Sequence, residues 1–116
     1  MTEFIKEANT NNFDELVNNT LTLVYVTAFW CGPCKALSPI VDEVSNQFKD
    51  TISIGKLDAD TNTEIVTKLG IKAIPTIVFF KDGLEVDRIS GAQSKQTLIN
   101  LINKHNTSAF NTEDDF

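Results

Sequence analysis

Residues 21–29, Leu-Thr-Leu-Val-Tyr-Val-Thr-Ala-Phe, form an almost unbroken run of apolar and β-branched side chains. A run of this kind is predicted to be a strand covered on both faces, because a half-exposed strand would alternate with polar residues. Such a strand needs helices above and below it, which restricts the chain to a layered α/β architecture. Directly after it comes Trp30-Cys31-Gly32-Pro33-Cys34-Lys35, which holds both cysteines of the 116-residue chain. Leu37, Ile40, Val41, Val44 and Phe48 then repeat at the spacing of one helical face. Two thiols therefore sit where a strand ends and a helix begins. Unpaired N–H groups at a helix start carry partial positive charge and favour a thiolate over a thiol. A redox dithiol is the first functional expectation.

The remaining pattern supplies partners for that strand. Residues 3–8 are predicted as a first strand, and Asn12 with Glu15 as a capping pair for a short helix carrying Phe13, Leu16 and Val17. Pro33 suits a first helical turn, whereas Pro39 inside the following helix predicts a kink. Residues 51–58 read as a third strand. Thr61 and Glu64 match a capping box before a helix with Ile65, Val66 and Leu69, and Gly70 is placed to stop it. Residues 76–80 and 84–90 form a hairpin around Asp82-Gly83, expected to add antiparallel edge strands. Ser94 is expected to cap a last helix whose inward face is Leu98, Leu101 and Ile102. The order is β-α-β-α-β-α-β-β-α, and it implies a mixed sheet with helices on both faces. Residues 1–106 are expected to form one domain, with 107–116 a short acidic tail in which Phe110 or Phe116 is able to tuck against the surface.

Composition narrows the function. The content is 41% hydrophobic and 22% charged, ordinary for a globular domain. Net charge is −6, with Lys and Arg scattered, so a nucleic-acid surface is not expected. No stretch approaches a membrane span, and the first residues carry neither a basic flank nor an apolar signal core. The expected location is the cytoplasm, where paired cysteines are more often catalytic or metal-binding than structural. A metal site needs about four ligands. Two cysteines and a distant His105 do not make one within a single chain, which leaves only a dimer-bridging site open. His105 reads as a C-terminal cap or a partly buried surface residue.

The chain resembles the thioredoxin family. The motif Trp30-Cys31-Gly32-Pro33-Cys34-Lys35 matches that family's active site residue for residue. Pro39, Lys56-Leu57-Asp58, Ile74-Pro75-Thr76, Lys81-Asp82-Gly83 and Gly91-Ala92 fall where the family carries equivalents, so the resemblance spans residues 3–105. It implies the thioredoxin fold, a central mixed five-stranded sheet flanked on both faces by four helices. It implies a protein-disulfide reductase in which Cys31 is the exposed attacking thiolate and Cys34 the buried resolving thiol. Gly32-Pro33 belongs with the reductants of the family. Trp30, Gly32, Pro33, Lys35, Lys56 and Tyr25 would support the site, and Pro75 would be cis. Trp30, Ile74, Pro75, Gly91 and Ala92 would line the surface where an extended client segment docks. Values known for thioredoxins themselves are an attacking-thiol pKa of about 7 and a potential of about −270 mV.

The resemblance further implies a monomer that serves client proteins with disulfides and is re-reduced by thioredoxin reductase. NADPH and FAD would act through that partner, with no cofactor bound by this chain, which has no Gly-rich phosphate loop. One departure stands out. The family's buried Asp beneath the active site is replaced by Tyr25, its usual Trp by Thr27, and an often acidic position by Phe29. Tyr25 either packs under the site or contributes its hydroxyl, and a phenol with an ordinary pKa of about 10 is a poor base at neutral pH. Without that Asp, Lys56 is expected to be a solvated ammonium. Two other readings stay open: a binding scaffold with incidental thiols, and an oxidase or isomerase of an exported pathway. The Gly-Pro pair and the missing signal weigh against the second.

Overall fold

A computed structural model of the chain describes residues 4–106; the acidic tail 107–116, with Phe110 and Phe116, lies outside the described residues. Five strands, β1 (Ile5–Ala8), β2 (Thr22–Thr27), β3 (Ser53–Asp58), β4 (Thr76–Lys81) and β5 (Leu84–Ser90), form one sheet in the order β1-β3-β2-β4-β5. β3 runs parallel to β1 and β2, while β4 is antiparallel to both β2 and β5. The helices are α1 (Phe13–Leu16), α2 (Gly32–Gln47), α3 (Thr63–Leu69) and α4 (Lys95–Asn106). The hairpin strands are not both at the edge, contrary to expectation. β4 is an interior strand whose Ile77, Val78, Phe79 and Phe80 are all buried, and of the two hairpin strands only β5 is outermost.

β2 is buried at every position, which explains the run of apolar residues that encodes it. Alternate side chains feed two cores. Leu23 and Tyr25 join Leu37, Val41 and Val44 of α2 and Leu98 and Ile102 of α4. Val24 and Val26 join Phe13 and Leu16 of α1 and Ile65 of α3. Gly55 in β3 marks how closely α1 approaches the sheet. A Cβ built there would lie 2.6 Å from Leu16 Cδ2, so any side chain at this position would force Leu16 to shift.

Local signals explain most of the turns. Asp82 and Gly83 both take positive φ (53° and 87°), the backbone that a two-residue hairpin with the sheet's twist requires. Gly70 ends α3 with φ 67°, where a side chain would be strained. Ser94 Oγ accepts the Thr97 N–H at 3.1 Å and caps α4. α2 runs through Pro39 as one element, with Pro39 on its exposed side.

Both expected caps of the shorter helices are absent. Asn12 Oδ1 instead accepts the Asn9 N–H at 2.8 Å, and its amide donates to Glu7 O at 2.8 Å, fixing the turn before α1. Asn62, not Thr61, stands at the start of α3, and its side chain makes no cap. Its Oδ1 accepts the Thr10 N–H at 3.1 Å and its amide donates to Asp58 O at 3.0 Å, so it ties two distant loops together. Arg88 of β5 supplies the C-terminal partner of α3, donating to Leu69 O at 2.7 Å while Glu85 holds its guanidinium. That contact with Glu85 raises the Arg88 pKa further.

Candidate functional site

β2 ends at Thr27, and Ala28, Phe29 and Trp30 carry the chain across its top to the start of α2. Cys31 occupies the N-cap with extended backbone, and Gly32 and Pro33 follow in the first turn. At this position Cys31 Sγ accepts the Cys34 N–H at 3.2 Å. An N–H that has no helical partner therefore points at the sulfur. Cys31 and Cys34 are joined in a disulfide with Cα atoms 5.3 Å apart.

The expected exposure of Cys31 is not met in this oxidised form. Both cysteines are only 3% exposed. The bond turns the Cys31 sulfur toward Cys34, and Ala28 and Ile74 pack on the pair. Contact with solvent comes through a cavity of about 300 Å³ lined by Cys31, Cys34, Lys35, Ser38, Lys56 and Asp58, with Phe29 also on its wall.

Tyr25 lies beneath α2, 1% exposed, and its hydroxyl donates to Cys34 O at 3.2 Å and meets Ser38 Oγ at 2.8 Å. Packing and hydroxyl chemistry thus coexist at this position, and the buried phenol is fully hydrogen-bonded. Lys56 sits directly across the strand pair from Tyr25. It makes no ion pair among the described residues.

Ile74-Pro75 is a cis peptide, and Pro75 is buried. One bond ties this loop to the next, and another closes the loop on itself. Gly91, at φ 87°, donates its N–H to Pro75 O at 2.8 Å, and Thr76 Oγ1 donates to Ala73 O at 2.6 Å. Ile74 packs against the cluster that Ala28 forms with the two cysteines. Trp30 and Ala92 are exposed. Trp30 is held from one side, because its indole N–H donates to both carboxylate oxygens of Asp60, at 2.8 Å and 3.1 Å. Asp60 was not singled out by the sequence, and a carboxylate thirty residues away has no local signature there.

His105 is remote from this site. It sits in the last turn of α4, with Nε2 2.9 Å from Asp87 Oδ2 and its carbonyl accepting Lys81 Nζ at 2.8 Å. That hydrogen bond from His105 lowers the Asp87 pKa below its usual value. No described helix is long and apolar enough to cross a membrane.

A disulfide at a helix start, packed against the residue before a cis proline and directly following an exposed tryptophan, agrees with the comparisons to known proteins. The family model "Thioredoxin" matches residues 4–104. A thioredoxin from Staphylococcus saprophyticus is 38% identical over 101 residues, covering 87% of this chain and 97% of the relative. Thioredoxin 1 of Synechococcus elongatus is 43% identical over 83 residues, covering 72% and 78%. The crystal structure of a Malassezia sympodialis thioredoxin superposes with a TM-score of 0.82 at 29% identity, covering 91% of this chain and 93% of that one. The chain belongs to the thioredoxin family, and its Cys31–Cys34 pair is a redox-active disulfide with protein-disulfide oxidoreductase activity.

Proposed function

We propose that this protein works as a reductase of client disulfides, with Cys31 as the attacking thiolate and Cys34 as the resolving thiol. The observation that carries the assignment is the bond from the Cys34 N–H to Cys31 Sγ at the head of α2. Once the pair is reduced, the same N–H and the helix terminus favour negative charge on Cys31 over Cys34, whose backbone is already inside the helix. The Cys31 thiolate attacks a client sulfur, forming a Cys31–client disulfide and expelling the second client sulfur as thiolate. Cys34 then loses its proton and attacks Cys31, restoring the observed disulfide and releasing the reduced client.

The surrounding residues divide the remaining work. Gly32 and Pro33 leave the first turn free of side chains that would cover the sulfur. Trp30, Ile74, Gly91 and Ala92 present the shallow surface for an extended client segment with the buried Pro75 as its floor, and the bond from Gly91 to Pro75 supports this reading by holding the two loops together. Tyr25 positions the Cys34 turn through its carbonyl. Tyr25 brings a phenol rather than a carboxylate beneath the Cys34 turn, so the proton of the resolving thiol departs through the cavity that Lys56 and Asp58 also line. Thioredoxin reductase, drawing on NADPH through FAD, regenerates the dithiol of a monomeric cytoplasmic carrier.

The test is NADPH-coupled reduction of insulin with a thioredoxin reductase. Turnover that disappears in Cys31→Ser supports the reading. Partner binding that persists while reduction is absent from the wild type would instead make the chain a scaffold.

A further inference from the structure

The cavity beside the disulfide, besides giving the Cys34 proton a way out, carries two lysine charges to which the bond exchange assigns no role. Lys35 and Lys56 line it together with Asp58, two ammonium groups against one carboxylate, on a chain whose net charge is −6. Neither lysine is in an ion pair among the described residues. The reason is local. The strand position opposite Lys56 brings a phenol rather than an acid, and that phenol is engaged with Cys34 O and Ser38. Asp58 is partly committed as well, since its Oδ1 accepts the Asp60 N–H at 2.9 Å. The neighbouring Asp60 carboxylate faces the Trp30 indole.

We infer that this cavity is a specificity subsite for an acidic side chain flanking the client cysteine, read by Lys56 and Lys35. The inference rests on the reductase reading above and names the kind of client that it favours. Geometry makes a flanking residue the natural occupant. The client sulfur must reach Cys31, which itself lines the cavity. In an extended segment the residues one and two positions away lie within about 7 Å of that point, at about 3.3 Å per residue. Phe29, 87% exposed on the cavity wall, offers an apolar ring to the methylene stem of a glutamate. A lysine in the same place would meet two like charges.

Three peptide disulfides differing only in one residue next to a cysteine, Glu, Gln or Lys, provide the test. Each kcat/KM is divided by the rate of reduction of the same peptide by dithiothreitol, which removes intrinsic differences in reactivity. The wild type is expected to favour the Glu peptide over the Lys peptide by about fivefold, the upper range for a solvent-accessible charge contact. That ratio should shrink in Lys56→Gln, widen in Asp58→Asn, and flatten as salt screens the charges. Equal normalised rates for the three peptides, or a ratio that neither substitution moves, would overturn the subsite while leaving the reductase reading intact. Failure to reduce even the Gln peptide would overturn the reductase reading, and the subsite with it.

Discussion

The phenolic oxygen of Tyr25 lies 3.2 Å from the carbonyl oxygen of Cys34, donates its proton to it, and lies 2.8 Å from Ser38 Oγ. A residue that replaces the family's buried acid has therefore become a strut between the central strand and the first turn of α2. Tyr25→Phe keeps the ring packed among Leu37 and Val41 but leaves the Ser38 hydroxyl without its partner. The expected loss is about 1 kcal/mol, the usual net worth of one hydrogen bond, read as a lower urea midpoint at unchanged slope. An unchanged midpoint would mean that the hydroxyl contributes nothing to the fold.

Trp30 is the only tryptophan in the chain, so its fluorescence reports on the active-site face. Asp60→Ala removes both acceptors of the indole N–H and frees the ring. A shifted emission maximum and a client KM raised about threefold are expected, in line with the cost of ordering one freed side chain on binding. Global stability should move by less than about 0.5 kcal/mol, as for other surface changes. A KM that does not change while the emission shifts would remove Asp60 from client docking.

Much of this site was legible because it is local. The strand run before Cys31, the Gly-Pro pair inside the first turn, the Asp82-Gly83 hairpin and the Gly70 stop are each encoded within a few residues. Each appears at its expected place. What the sequence did not disclose is long-range. Asn62 has the chemistry to cap its own helix, yet an N–H at Thr10 claims its oxygen, and no local pattern records that competition. Asp60 and Trp30, or Asp87 and His105, are brought together only by strand order and by the docking of α4. The burial of Cys31 follows from the oxidised bond and from Ile74, whose contact depends on the fold of a distant loop.

In the middle of the edge strand β5, Asp87 gives stability a predictable pH dependence. The His105 hydrogen bond is the main cause that holds its carboxyl below 3.8. The Arg88 N–H and the nearby charges of His105 and Lys104 act in the same direction, and burial opposes them. A carboxyl whose folded pKa is depressed stabilises the fold in full above its unfolded value and loses that contribution as pH falls through the folded one. The contribution of the Asp87 carboxylate to the stability gap between wild type and Asp87→Asn should therefore be fully present at about pH 6 and shrink from about pH 5 downward. Urea unfolding at several acidic pH values measures it, and a gap independent of pH would show that the pair does not couple to folding.

The central claim is that the helix-start sulfur attacks first and the second sulfur finishes the exchange. The most direct measurement is non-reducing mass spectrometry of Cys34→Ser, supplied in its reduced form and mixed with a disulfide client. The structure predicts a stable one-to-one adduct linked through Cys31, because the thiol that would release it is gone. Multiple turnovers by that variant with no adduct, or an adduct on Cys34 in the matching Cys31→Ser variant, would contradict the account.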